Sequence, residues 1–148
     1  SDAMEGEARD LAKAHAAIAL SMAQRQVPFL PPCVLISGGE ATVTVRGTGR
    51  GGRNTEFVLA MAMALQDQVG AERVYALSAG TDGLDGRAGA AGAWVGPQTL
   101  QQAAQHGHAA IASLDNNDSA TLLEATGSLV HTGPTFTNIN DFRAVLVL

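Results

Sequence analysis

Aromatic residues make up only 4% of this 148-residue chain, cysteine and lysine occur once each, and nine basic side chains face fourteen acids. Each shortage excludes something. One thiol, Cys33, cannot form a disulfide framework, so the fold must rest on a packed core, and a reducing, cytoplasmic setting is expected. A formal net charge of −5 with scattered basic residues removes the basic face that nucleic acid requires. No apolar run is long enough to cross a bilayer, so no membrane partner is expected. The only lysine, Lys13, is far from any glycine-rich loop, which excludes a Walker phosphate loop. None of the four histidines has a metal-ligand partner at useful spacing.

What is present is apolar. Hydrophobic residues reach 46% and charged residues 16%, enough for one buried core at a single-domain length. The chain opens Ser1-Asp2-Ala3-Met4 and reads as a piece of something longer. Residues 5–26 carry Ala8, Leu11, Ala12, His15, Ile18, Ala19 and Met22 at helical spacing, which predicts a leading amphipathic helix ended by Pro28, Pro31 and Pro32. Cys33 to Ser37 and the alternating Ala41 to Val45 predict a β-hairpin turning at Gly38-Gly39-Glu40. A buried helix is expected from Thr55 to Val69, closed by Gly70, and a central strand from Arg73 to Ala79. Pro97 suits the start of a helix running to about His106, and Asp115 to Ser119 should cap another over Ala120 to Thr126. Phe142 to Leu148 reads as the last strand. The class is α/β: a single domain with a mixed β-sheet flanked by helices in three layers.

The stretch most suited to a ligand is Gly47-Thr48-Gly49-Arg50-Gly51-Gly52-Arg53-Asn54-Thr55-Glu56. Its glycines allow close approach and left-handed turns, and it opens into the apolar helix, so Gly49, Gly51 and Gly52 are expected to present N–H groups and the helix dipole to an anion. Arg53, with Arg50 beside it, offers the planar fork suited to phosphate or carboxylate. The loop matches G-x-G-x-x-G, but the strand before it alternates like an exposed arm, and the residue about twenty positions on, Asp67, falls inside the expected helix, which disfavours a nicotinamide site. Asp82 and Asp85, three apart in a glycine loop, can either aim at one Mg²⁺ or form an Asx-type turn. Thr132, Thr135, Thr137, Asn138 and Asp141 make a third polar loop that could hold a ligand.

Taken together, Ser37-Gly38-Gly39-Glu40, Gly51-Gly52-Arg53-Asn54-x-Glu56, Thr81-Asp82-Gly83-x-Asp85-Gly86, Asn116-Asn117-Asp118-Ser119 and the block from Thr132 to Asp141 resemble the C-terminal (MOFRL) domain of the glycerate 2-kinase family across essentially the whole chain. The resemblance implies an enzyme that transfers the γ-phosphoryl of ATP to D-glycerate with Mg²⁺, in a cleft shared with a Rossmann-like N-terminal domain that lies outside this chain. It implies Arg53 as charge stabiliser, supported by Asn54 and Glu56, with Asp82 and Asp85 as the acidic loop. Members have also carried the name hydroxypyruvate reductase. A nicotinamide-dependent reductase and a non-catalytic anion-binding module are the alternatives, and the piece on its own is expected to be inactive.

Overall fold

The computed structural model describes all of residues 1–148. In chain order the elements are β1 (Gly6–Glu7), α1 (Ala8–Arg25), β2 (Cys33–Gly39), β3 (Ala41–Thr42), α2 (Arg53–Leu65), β4 (Val74–Gly80), β5 (Gly92–Val95), α3 (Thr99–Gln105), α4 (Ala110–Asp115), α5 (Ser119–Ala125), β6 (Leu129–Val130) and β7 (Asp141–Val147). The five-stranded sheet runs β2-β7-β4-β5-β6, with β4 central as its continuous apolar character predicts. Every ladder in it is antiparallel, and the one parallel pairing joins β1 to β3 in a separate ribbon.

The expected hairpin does not form. Gly39, at φ 116°, turns the chain out of the sheet, and β2 pairs instead with β7, Cys33 opposite Val147 through Gly39 opposite Asp141. The alternating arm that follows is held from elsewhere: Glu7 accepts from the Thr44 N–H at 3.1 Å and from the Thr44 hydroxyl at 2.9 Å. Those bonds hold the Glu7 carboxyl below its ordinary range. Helix α2 is also shorter than expected. It stops at Leu65, Asp67 lies beyond it in a left-handed turn, and Gly70 opens a 3-10 turn over Ala71–Arg73 rather than capping α2. Strands β5 and β6 and helix α4 have no sequence signal of their own. Gly92 is glycine because a Cβ there would lie 2.0 Å from the Ser78 carbonyl across the ladder.

The helices gather on one face of the sheet. Helix α1 presents Ala8, Ala12, Ala16 and Ala19, all at most 2% exposed, a small-residue stripe along which α2 packs closely. Helix α2 is buried nearly all round, with Phe57, Val58, Leu59 and Met61 in the core, and rests on β4 and β5. On the opposite face, Val34, Ile36, Trp94 and Phe142 are 53, 57, 43 and 42% exposed, and their register places them together. A third layer over that face is not supplied by these residues.

His15 is more deeply placed than a partly buried histidine. It is 2% exposed, with its ring edge-on to Phe57. Nδ1 lies 2.7 Å from the Leu11 carbonyl, which can only accept, so Nδ1 carries the proton and Nε2 accepts from the Ser37 hydroxyl at 2.8 Å. Burial pushes its pKa below the usual histidine value, and the Arg143 guanidinium adds to the effect. The unfolded chain therefore binds the proton more readily, and stability is lost as pH falls below about 6.5, by up to about 1.4 kcal/mol per pH unit. Urea unfolding at pH 7.5 and 5.5 is expected to show this loss, and His15→Gln is expected to reduce the difference. An equal slope in the variant would contradict it.

Candidate anion-binding site

The site is built on the N-terminus of α2, and its first occupant is the chain itself. Asp85, 2% exposed, accepts from the Asn54 N–H at 2.9 Å through Oδ1 and from the Thr55 N–H and hydroxyl, both at 2.8 Å, through Oδ2. The Asn54 side-chain amide adds a fourth bond at 3.3 Å. Burial pushes the Asp85 carboxyl above its ordinary range, and these bonds pull against that shift. Asp85 thus takes the role of an anion at a helix end.

The glycine loop spends its N–H groups in the same way. Five consecutive amides, from Arg46 to Arg50, donate to the 116–118 segment: Arg46 and Gly47 to Asn117 Oδ1, Thr48 to Asn116 Oδ1, Gly49 to the Asn116 carbonyl and Arg50 to Asp118 Oδ1. None of Gly47, Gly49, Gly51 and Gly52 adopts a left-handed backbone. They are glycine because of packing: a Cβ on Gly49 would sit 2.3 Å from that of Asp118, one on Gly51 2.5 Å from the Ser119 hydroxyl, and one on Gly52 2.4 Å from Asp85 Oδ1. The expected phosphate cradle is a docking surface for the chain's own Asn116-Asn117-Asp118-Ser119. The N–H groups of Gly51 and Arg53 alone remain without a partner at the helix mouth.

Arg53 is the expected residue that faces outward. Its Nε donates to Asp141 Oδ1 at 2.7 Å, while its two terminal nitrogens bond to nothing in the chain. Burial works against its charge, but the Asp141 hydrogen bond and charge, with the further carboxylates of Asp85 and Glu40, raise its pKa. A cleft of about 400 Å³ opens here, lined among others by Arg53, Arg87, Gly51, Glu56 and Asn117. Arg87 was not singled out by the sequence. Arg50 turns away and pairs with Glu124 at 2.8 Å on the surface.

The remaining expected residues divide between support and exclusion. Asn54 is 1% exposed and bridges Asp141 Oδ1, at 2.9 Å, to Ser78, whose hydroxyl donates to it at 2.6 Å. Glu56 is equally buried, held by Arg9 Nε at 2.7 Å and Asn117 Nδ2 at 3.1 Å. Asp141, expected to touch a ligand, is instead buried: Oδ2 accepts from Arg143 Nη2 at 2.8 Å and from the Ala41 N–H at 3.1 Å. Thr135, Thr137 and Asn138 lie in an exposed loop, where the Thr135 hydroxyl donates to the Thr81 carbonyl and Asn138 accepts from the Asn140 N–H at 2.9 Å.

Asp82 and Asp85 are both engaged within the chain. Asp85 has its oxygens committed to four donors, and Asp82 closes an Asx turn onto the Leu84 N–H at 3.0 Å. No cluster of three or more histidine, cysteine or carboxylate side chains with metal-ligand geometry occurs in the chain. Sequence reading missed Arg9, Ser78, Asn117 and Arg143. Asn117 had a signal, since Asn-Asn-Asp-Ser is richer in side-chain acceptors than one short helix needs, and the structure places Asn117 at φ 53°.

These features define a class: a one-sided α/β domain presenting a carboxylate-braced arginine at the mouth of a helix. The sequence profile of the MOFRL family matches residues 33–141, and the chain belongs to that family. It is 41% identical over 145 residues to a D-glycerate 2-kinase of Thermotoga maritima, covering 98% of this chain and 34% of that protein. It is 47% identical over 148 residues to an Agrobacterium vitis protein provisionally named hydroxypyruvate reductase, covering 99% of this chain and 33% of that one. The crystal structure of a Thermotoga maritima glycerate kinase superposes with a TM-score of 0.93 at 39% identity, over 99% of this chain and 35% of that one. The chain thus spans about a third of the length of these relatives.

Proposed function

We propose that this chain is the C-terminal part of an ATP-dependent glycerate 2-kinase, which transfers the γ-phosphoryl group to D-glycerate to give 2-phosphoglycerate. The observation that carries the reading is Arg53, which lines the cleft with its Nε fixed by Asp141 and its terminal nitrogens unbonded, next to the unpartnered Gly51 and Arg53 amides. Phosphoryl transfer asks a protein chiefly for positioned positive charge, and this geometry provides it without a protein nucleophile, since the substrate hydroxyl attacks. The names of the Thermotoga maritima relatives agree.

Glycerate and the transferred phosphoryl are both anions, so Arg53 suits either as a direct contact, with Asn54 and Glu56 beneath it. One face of a cleft supplies part of the contacts. The relatives' greater length and the open apolar sheet face support a further, N-terminal domain that completes it. Mg²⁺ accompanies ATP in such chemistry, but the four donors on Asp85 suit it poorly as a ligand. No helix is long and apolar enough to cross a membrane, and a cytoplasmic enzyme is the setting we propose.

The reductase reading takes its support from the Agrobacterium vitis relative's name. The spent amides of residues 46–50 weigh against it, because a dinucleotide pyrophosphate needs those N–H groups free. Assays on the full-length protein separate the two. ADP formation that depends on D-glycerate is expected, with no loss of reduced-nicotinamide absorbance on hydroxypyruvate; the opposite pattern would replace the kinase by the reductase. Calorimetry of this chain alone with ATP or glycerate is expected to give little or no heat, and tight binding would favour a stand-alone anion-binding module.

A further inference from the structure

Arg143 is the largest of the fully buried side chains, 1% exposed on the covered face of β7, between Ser37 of β2 and Ser78 of β4 in register. It makes one hydrogen bond, Nη2 to Asp141 Oδ2 at 2.8 Å, and its guanidinium carbon lies 5.4 Å from the Phe57 ring centre. Nε and Nη1 have no partner. For folding alone this is a poor arrangement, since a buried charge and two unmet donors each cost free energy that one bond to a carboxylate does not repay. An apolar side chain of similar size would fill the same space at less cost.

The carboxylate between the two arginines gives Arg143 a use. Asp141 turns Oδ1 to Arg53 and Asn54 and Oδ2 to Arg143 and the Ala41 amide. Because Oδ2 is taken, Asp141 cannot grip Arg53 through both oxygens, and Arg53 keeps its two terminal nitrogens for the cleft. The charges also matter: one carboxylate shared by two guanidinium groups leaves the trio with a net positive charge, and Arg53 is the member that lines the cleft.

We infer that Arg143 is a positioning residue for Arg53: acting through Asp141 from beneath the site, it aims the Arg53 fork at the cleft and leaves its positive charge uncancelled for an anionic substrate. The inference rests on the kinase reading and deepens it, because it assigns a buried residue with no route to substrate a part in the rate. Burial presses the Arg143 pKa down and the Arg53 charge adds to this, while Asp141 resists.

The test uses the neutral variants Arg143→Gln and Arg143→Met and the charge-retaining Arg143→Lys in the full-length protein, with kcat, KM and Tm measured for each. Both neutral variants are expected to stay folded, with a Tm near the parent's, while kcat falls about tenfold to a hundredfold and KM for glycerate changes little. Arg143→Lys is expected to recover much of the lost kcat. Parent-like kcat in either folded neutral variant overturns the inference, as does a loss that tracks Tm and is not relieved by lysine. Failure of both neutral variants to fold would assign Arg143 to stability and overturn it equally. If the parent protein does not phosphorylate glycerate, the kinase reading itself fails; if Arg53→Ala keeps the parent rate, Arg53 and this inference fall together; if Arg53→Ala is inactive while Arg143→Gln keeps the parent rate, only this inference does.

Discussion

Arg53→Ala in the full-length protein is expected to lower kcat for glycerate phosphorylation by about a hundredfold or more, the loss typical when one preorganised charge contact to a developing anion is removed. The fold should survive. Asp141 would keep Arg143, Asn54 and the Ala41 amide, so the variant leaves no buried carboxylate unpaired. Arg53→Lys is expected to fall between, because an ammonium cannot hold Asp141 through one donor while offering a planar pair to the ligand. Steady-state kinetics with a melting curve as control decide the matter. A folded alanine variant with the parent rate would remove Arg53 from the chemistry and leave the cleft without its principal group.

Asp85→Ala should act in the opposite register, on stability. It strands the Asn54 and Thr55 amides at a buried helix end, while the Thr55 hydroxyl keeps the Gly52 carbonyl at 3.2 Å. Each unmet buried donor costs about 1–3 kcal/mol, and the loss of a cap about 1 kcal/mol, so a total of about 3 kcal/mol or more is expected. For a domain of this size that corresponds to a Tm lower by roughly 10 °C. The measurement needs only this chain. Mg²⁺ at millimolar concentration is expected to leave the parent Tm unchanged, because a ligand that does not bind the native state does not stabilise it. A clear rise in Tm with Mg²⁺, abolished in the variant, would restore Asp85 as a metal ligand.

The two expectations show where local reading reaches and where it stops. Helix α2, strand β4 and strand β7 were legible because their apolar residues follow the periods of a helix and a buried strand, and those periods depend only on neighbours along the chain. Arg53 was legible because it sits at the junction of a glycine loop and a helix. Strands β5 and β6 were not, since their few residues are small or flanked by turns and carry no period. The hairpin misread has the same root: Ala41 to Val45 alternates because Glu7 and the ribbon with β1 use one side of it, not because β2 lies alongside.

Sequence alone determined the α/β class, the leading helix, the buried α2 and the polar blocks that meet around its first turn, since side-chain volume, periodicity and turn chemistry are properties of short stretches. The tertiary structure decided what those blocks do. Asp85 and Asp141 lie 31 and 87 positions from Asn54, yet both bond to it, and Arg143 reaches the site only through the strand order of the sheet. A carboxylate takes whichever donors packing brings within reach, and that choice, made across distances no local pattern records, turned an expected phosphate cradle into internal scaffolding and left the Arg53 fork unbonded at the cleft.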